Sequence, residues 1–211
     1  MTENIIIFLN GDLPDSKIIN KLLNKSSFLI SADGASNKLE ILSITPDLII
    51  GDLDSIKPVT LSNYKEKSVD ILHIIDQETT DFEKCLIYCN ENNLKDIIVF
   101  GATDMRPDHS LNNFSILKRY YHSLNIKLID NFFETFFIRD KIEFECQENE
   151  IVSILALSIA EGVTTKGLMY PLNNERLEFG VREGTLNRSV SKIVSISFES
   201  GDLLLIKNHN I

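Results

Sequence analysis

The sequence predicts an α/β N-terminal domain with a mostly parallel, doubly wound sheet, followed by an all-β C-terminal sandwich. Up to about residue 130, short apolar runs alternate with segments of helical spacing, as in parallel sheets covered on both faces. Beyond that point, short runs are punctuated by Gly, Asn and Glu without helical periodicity, as in sandwiches and barrels. We therefore expect two domains, residues 1–130 and 131–211.

The individual elements follow from these patterns in chain order. In the first domain, short runs of Ile, Leu, Val and Phe predict strands at 5–9, 28–32, 48–50, 71–74, 97–100 and 126–129. Amphipathic spacing predicts helices at 16–23, 36–42, 80–92 and 110–121. In the second domain, we expect strands at 132–138, 142–146, 151–157, 162–168, 176–179, 189–198 and 203–207. The run 189–198 alternates apolar and polar residues for much of its length, which indicates a strand with one buried face.

Composition narrows the class of protein. The 211 residues are 43% hydrophobic and 25% charged, which is typical of a globular protein with a real core. The net charge of −10, without a basic stripe, argues against nucleic-acid binding. The three cysteines form neither a disulfide framework nor a zinc pattern. With no signal peptide and no membrane span expected, the sequence predicts a cytoplasmic protein.

The most informative stretch follows the third predicted strand, where Gly51 precedes Asp52 and Asp54. Side chains two residues apart share a face of an extended segment, so both carboxylates are expected to point at one place beyond the strand. Ligands bind at that end of an open α/β sheet, and such oxygen donors suit Mg²⁺. The alternative is a simple turn and helix cap.

Polar residues also follow three other predicted strands. Asp33 follows the second, the stretch 76–84 follows the fourth, and the stretch 101–112 follows the fifth. The loops of a doubly wound sheet converge on one rim, so these residues are expected to meet there. Thr80 and Glu83 fit a capping box, which would aim a helix N-terminus at that rim, where phosphate oxygens bind.

The fifth loop carries Arg106, Asp108 and His109. A guanidinium there suits phosphate recognition through its planar fork of donors. The structural alternatives are that Asp108 caps the helix after Pro107 and that Asp33-Gly34 is only a turn. Neither a P-loop nor a G-x-G-x-x-G motif is present, so phosphate binding would rest on carboxylate-held Mg²⁺, the arginine and helix N-termini.

The order of these motifs resembles the thiamine pyrophosphokinase family. The similar segments are Asn10-Gly11-Asp12, 31–36, 46–55, 77–84 and 101–113, with 165–172 and 184–187 in the second half. The likeness covers nearly the whole chain, and several ordered motifs are far more specific than any one of them.

The resemblance implies a fold, a reaction and an assembly. Residues 1–130 would bind ATP and Mg²⁺ and catalyse transfer of a pyrophosphoryl group to the thiamine hydroxyl, giving thiamine diphosphate and AMP. Residues 131–211 would bind thiamine and form a homodimer whose active sites lie at the interface.

The resemblance also assigns residues by matching position. Asp52, Asp54 and Asp81 would hold Mg²⁺ and, with Arg106 and Asp108, serve catalysis. The residues expected at ATP and its phosphates are Asp33, Gln77, Thr80, Lys84, Arg106, His109 and Asn112. Thr185, Leu186 and Asn187 would meet thiamine, from the partner subunit. Asp81 and Asp108 are both candidates for accepting the hydroxyl proton.

Three departures from the family pattern keep alternatives open. Asp104-Met105 replaces a glycine pair before the arginine, Leu186 replaces a serine, and the chain has no tryptophan. If an aromatic ring stacks on thiamine, Phe179, Tyr170 or Phe198 must supply it. One alternative is a Mg²⁺-dependent transferase with another alcohol acceptor, and a second is a non-catalytic sensor of thiamine or nucleotide.

Overall fold

The computed structural model describes residues 4–103 and 106–211, which divide into two compact units. Unit 1 comprises residues up to Asn131 together with Ile211, and unit 2 comprises Phe132–Asn210. Strands in the N-terminal part are parallel, and those that follow are antiparallel. None of the helices within the described ranges combines the length and the apolar character needed to cross a membrane.

Unit 1 alternates strands and helices. Its strands are β1 (Asn4–Phe8), β2 (Ser26–Ala32), β3 (Leu48–Gly51), β4 (Asp70–His73), β5 (Asp96–Phe100) and β6 (Asn125–Ile129). Its helices are α1 (Ser16–Leu23), α2 (Ala35–Ile41), α3 (Pro58–Glu66), α4 (Asp81–Glu91) and α5 (Pro107–Tyr120). The strands pair in parallel in the order β4-β3-β2-β1-β5-β6.

Helix α3 was not expected from the sequence. Its buried residues are Thr60 and Tyr64, so the segment lacks the apolar periodicity that predicts a helix. The signal available was Pro58, which occupies the first turn, where proline is favoured. The Tyr64 hydroxyl anchors the helix by donating to the carbonyls of Ile44 (3.0 Å) and Ser36 (3.4 Å).

The apolar faces of unit 1 explain its packing. One cluster joins Ile6 and Phe8 of β1 to Ile19 of α1 and Leu39 of α2. A second cluster joins Ile49 of β3 to Tyr64 of α3. Both clusters are buried, so the strands and helices that carry the loops are held by the core.

Unit 2 is built from antiparallel strands. They are β7 (Phe133–Ile138), β8 (Lys141–Glu145), β9 (Ile151–Lys166), β10 (Glu175–Glu178), β11 (Gly184–Arg188), β12 (Ile193–Ser197) and β13 (Ser200–Asn208). The order is β7-β13-β9-β12-β8, and β10 and β11 also pair with β9. All pairings within this unit are antiparallel.

Two predictions for unit 2 were wrong. The strands expected at 151–157 and 162–168 form one long strand, β9, because Gly162, at a φ of +69°, lets the chain turn without ending it. Residues 151–163 of that strand pair with β10, β11 and β13, and residues 164–166 pair with β12. The strand expected at 189–198 is confined to β12, and β11 precedes it where no strand was predicted.

We expect Tyr64→Phe to lower the free energy of unfolding by about 1–3 kcal/mol, because the buried carbonyl groups lose their donor. The control is Tyr170→Phe, whose residue is 67% exposed and whose cost should stay within about 0.5 kcal/mol. Urea unfolding at neutral pH measures both. Equal losses in the two variants would contradict the role given to the Tyr64 hydroxyl.

Candidate active site

The strand order of unit 1 reverses at β1, which has β2 on one side and β5 on the other. The loops that leave β1 and β5 therefore start at the point where open α/β sheets form a ligand crevice. A cavity of about 400 Å³ lies there, lined by Asn10 and Gly11 after β1 and by Gly101, Ala102 and Thr103 after β5. Its wall also includes Thr80, Asp81, Arg106, His109 and Asn112, all of which the sequence singled out.

Carboxylates gather beside the end of β3. Oxygen atoms of Asp33, Asp52 and Asp54 lie within 4.8 Å of one another. The geometry that gathers Asp52 and Asp54 differs from the predicted one, because Leu53 adopts a φ of +64° and the segment turns instead of extending. The Asp54 N–H donates to Oδ1 of Asp52 at 3.3 Å across this turn. The apolar side chain of Leu53 packs on the cluster around Ile49, which holds this unfavourable backbone conformation in place.

Asp33 organises the loop that carries these carboxylates. It is fully buried, and its oxygens accept the backbone N–H groups of Ser55 (3.0 Å) and Ile56 (3.1 Å). Burial raises the pKa of Asp33, the two backbone bonds oppose that rise, and the charges of Asp81 and Asp52 add to it. The sequence predicted Asp33 at the nucleotide; in the structure, its oxygens contact the neighbouring loop.

Asp81 approaches the same group from the first turn of α4. Its Oδ1 pairs with Lys84 Nζ at 3.2 Å, and Lys84 is buried. Burial raises the pKa of Asp81, Lys84 lowers it, and Asp52 and Asp54 raise it further. A Cβ on Gly51 would lie 2.6 Å from Cβ of Asp33 and 3.2 Å from Oδ1 of Asp81, so only glycine lets the chains come this close.

Gln77 connects the loop before α4 to the carboxylate group. Its Nε2 donates to Oδ2 of Asp52 at 2.8 Å, and this bond is the main cause of the lowered pKa of Asp52. The sequence predicted Gln77 at the nucleotide or its phosphates. The structure places its amide on Asp52, so it orients a carboxylate of the group.

Thr80 caps α4, as predicted, by accepting the Glu83 N–H at 3.3 Å. The other half of the predicted capping box differs. Oε1 of Glu83 accepts from Arg119 (2.7 Å) and from the Tyr120 hydroxyl (3.1 Å), so the carboxylate ties α4 to α5. The orientation of Asp81 and Lys84 therefore depends on both the cap and this contact.

Arg106 and Asp108 form an exposed pair at the start of α5. The guanidinium donates from Nε (3.1 Å) and Nη2 (2.5 Å) to the two carboxylate oxygens. These bonds lower the pKa of Asp108 to about 2. The alternative that Asp108 caps the helix was wrong, because α5 starts at Pro107 and Arg106 is the cap residue. The altered positions Asp104 and Met105 lie outside the described residues.

The residues expected to meet thiamine lie on β11 in unit 2. Leu186 is 82% exposed at a φ of +58°, and Thr185 is exposed beside it. Asn187 is buried. Its Nδ2 donates to the Tyr170 carbonyl at 2.7 Å, and its Oδ1 accepts the Tyr170 N–H at 3.1 Å. This residue therefore shapes the 170 segment, and direct contact between it and thiamine stays a prediction.

Two residues that shape the cavity were not singled out from the sequence. Lys38 of α2 donates to the carbonyls of Asn10 (2.8 Å) and Gly11 (2.7 Å), and so holds the loop after β1. Asn113 of α5 donates to the Ala102 carbonyl at 2.7 Å and holds the loop after β5. The sequence around Lys38 gives no signal for such a bond. Asn113, in contrast, lies in the segment 101–113, which resembles the family.

Together these features define a class of protein: an α/β unit with a crevice and an acidic group at the carboxyl ends of parallel strands, followed by an antiparallel β unit. The family model "Thiamin pyrophosphokinase, catalytic domain" matches residues 19–129. The model "Thiamin pyrophosphokinase, vitamin B1 binding domain" matches residues 139–203. The chain therefore belongs to the thiamin pyrophosphokinase family.

Individual relatives agree with this membership. Thiamine pyrophosphokinase from Bacillus subtilis is 30% identical, over 85% of this chain and 86% of the relative. Thiamine pyrophosphokinase 3 from Oryza sativa is 29% identical, over 92% of this chain and 83% of the relative. The solved structure of the B. subtilis protein has a TM-score of 0.84 at 23% identity and covers 99% of this chain and all of that chain. The yeast enzyme structure also has a TM-score of 0.84, at 18% identity, and covers 99% of this chain and 87% of that chain.

We expect Thr80→Ala to lower the free energy of unfolding by about 1 kcal/mol, because the Glu83 N–H loses its acceptor. Turnover of ATP should fall as well, since Asp81 and Lys84 lie in the turn that the cap fixes. Thr80→Ser keeps the hydroxyl and serves as the control. Urea unfolding and steady-state turnover measure the two effects. Equal losses of stability and turnover in the serine and alanine variants would contradict the role given to the Thr80 hydroxyl.

Proposed function

We propose that this chain transfers a pyrophosphoryl group from ATP to the hydroxyl of thiamine, giving thiamine diphosphate and AMP, at the acidic rim of unit 1. Membership of the family carries the reaction and both substrates. The single structural observation that supports the location is the group of Asp33, Asp52 and Asp54 beside a crevice lined by Asp81 and Arg106.

The donor set fits Mg²⁺. Closely spaced carboxylate oxygens are the ligands that Mg²⁺ prefers, usually together with water and substrate phosphates. Asp52 and Asp54 would hold the ion with Asp81, and Asp33, whose oxygens already accept two N–H groups, would support their loop. When bound, Mg²⁺ supplies neutralisation of the triphosphate and stabilisation of the charge that develops during transfer.

The chain's own residues would perform the remaining tasks. Arg106, His109 and Asn112 line the crevice, where they would bind and orient the nucleotide, and the capped N-terminus of α4 faces it through Thr80. In the transfer, the thiamine oxygen forms a bond to the β-phosphorus, and the bond from that phosphorus to the α,β-bridging oxygen breaks, releasing AMP. Positioning of these groups in line is the main contribution that a protein makes to such a transfer.

The proton of the thiamine hydroxyl must leave during the reaction. Asp108 is a weak acceptor, because its pairing with Arg106 lowers its pKa to about 2. Burial raises the pKa of Asp81, which favours proton uptake there in the free enzyme. Holding a metal ion would make the same carboxylate a poor base, so both candidates from the sequence stay open.

We also propose that the sheet of unit 1 is doubly wound and that unit 2 is a sandwich. Right-handed crossovers, combined with the reversal of strand order at β1, would put α1–α3 on one face of the sheet and α4 and α5 on the other, which supports a doubly wound sheet. In unit 2, β9 pairs with β13 along residues 152–161 and with β12 at 164–166, and both groups of strands share one core cluster. This arrangement supports a sandwich. A cytoplasmic location stays a prediction.

The experiment that tests the function is one assay. The purified protein is mixed with ATP, Mg²⁺ and thiamine, and AMP and thiamine diphosphate are quantified with and without thiamine. We expect equal amounts of both products, dependence on thiamine, and loss of both with a chelator. AMP or ADP formed without any response to thiamine would instead favour another alcohol acceptor, and binding without turnover would favour a sensor.

We expect Asp52→Asn to lower turnover by about 100-fold while leaving the fold intact, because it removes a proposed ligand charge, and a catalytic metal ion is worth several kcal/mol in the transition state. Asp70→Asn is the matched control, since it removes the same charge from an exposed position on β4. Turnover of Asp52→Asn close to wild type at saturating Mg²⁺ would contradict the metal assignment.

The proposal includes a homodimer with active sites at the interface. The exposed side chains of Leu186 and Thr185 in unit 2 support it. An exposed apolar side chain beside a polar one is typical of a surface that contacts a partner or a substrate. Sedimentation should give about twice the chain mass of 24.0 kDa. Mixing Asp52→Asn with Leu186→Asp should restore part of the activity, because one site per hybrid dimer is then intact. A monomer with full activity would overturn this part.

A further inference from the structure

The loop between β4 and α4 is organised by one carboxylate. Oδ1 of Asp76 accepts the Glu78 N–H at 3.1 Å, and Oδ2 accepts both the N–H (3.1 Å) and the hydroxyl (2.5 Å) of Thr79. A carboxylate that accepts three bonds from the next residues closes the loop into a rigid turn. The residue held inside this turn is Gln77.

Among the described residues of that turn, Gln77 is the one whose side chain bonds to the acidic group formed by Asp33, Asp52 and Asp54. Its Nε2 donates to Oδ2 of Asp52 (2.8 Å), while Oδ1 of Asp52 accepts the Asp54 N–H (3.3 Å). With a donor on each oxygen, rotation of the Asp52 carboxylate is restricted. The restricted carboxylate keeps an oxygen within 4.8 Å of oxygens of Asp54 and Asp33.

We propose that Asp76 is a positioning residue, which acts through Gln77 to orient the Asp52 carboxylate for a divalent cation. This inference rests on the proposed function, because that function supplies the cation. Loss of a group that orients a metal ligand typically costs about 10–100-fold in metal affinity or activity.

Charge alone does not account for such a role. Asp76 bonds to Glu78 and Thr79, whereas the group that touches Asp52 is the neutral amide of Gln77. Glu78 is exposed in the same turn and carries the same charge, and its backbone N–H is the group that Asp76 binds. If Asp76 acted only by its charge, neutralising Glu78 would have a similar effect.

The test measures binding of Mn²⁺, as a probe for Mg²⁺, by electron paramagnetic resonance of the free ion. The full chain is titrated in the presence of the α,β-methylene analogue of ATP, in which the bond that breaks cannot be cleaved. The variants are Asp76→Ala, Gln77→Leu, the double variant and Thr79→Val, with Glu78→Gln as the matched control. Thermal unfolding verifies that each variant is folded.

We expect Asp76→Ala and Gln77→Leu each to weaken Mn²⁺ binding by about 10-fold or more. The double variant should be no weaker than Gln77→Leu alone, because Asp76 acts through that residue. Glu78→Gln should bind as wild type does, and Thr79→Val, which loses one of the three bonds to Asp76, should give a smaller loss in the same direction.

Two results would overturn the inference alone: wild-type Mn²⁺ affinity in Asp76→Ala, or losses that add in full in the double variant. A wild-type protein that binds no Mn²⁺ with the nucleotide analogue would overturn the proposed metal site, and this inference with it. The measurements therefore separate failure of the positioning role from failure of the proposed function.

Discussion

The site depends on the two hydrogen bonds that the buried Asp33 carboxylate accepts from the backbone N–H groups of Ser55 and Ile56. A carboxylate buried without partners is strongly unfavourable, so the protein must supply these donors, and the loop after β3 must lie against β2 to do so. That same loop carries Asp52 and Asp54. Burial of one carboxylate thus determines where the other two are displayed.

The acidic group is electrostatically unfavourable as it stands. Like charges add to the effect of burial in raising the pKa of Asp33 and of Asp81, and the buried Lys84 offsets part of this at Asp81. A chain with a net charge of −10 gains nothing structural from crowding carboxylates at one rim. A divalent cation bound there would relieve the repulsion, and the same cation would let an anionic triphosphate approach acidic residues. Stability and function therefore make opposite demands on these side chains, as is common at functional sites.

The sequence predicted that Asp52 and Asp54 lie close together at the end of a strand, and they do. The geometry on which that prediction rested was wrong. Alternation along an extended segment was expected, whereas a left-handed Leu53 makes a turn, and no local pattern predicts a leucine there. Helix α3 was missed because its burial rests on Thr60 and Tyr64 instead of an apolar stripe. The contact of Gln77 with Asp52 joins residues 25 positions apart and depends on strand order. Strand and helix types came from periodicity, whereas these contacts came from tertiary packing.

The most direct test of the central claim is the position of the metal. Crystals grown with Mn²⁺ and the α,β-methylene analogue of ATP give an anomalous signal that locates the ion. The account predicts a peak within bonding distance of oxygens of Asp52 and Asp54, next to Asp81, with the phosphates of the analogue on its other side. A bound nucleotide whose metal lies away from all of these carboxylates, or a nucleotide bound in another cavity, would contradict it.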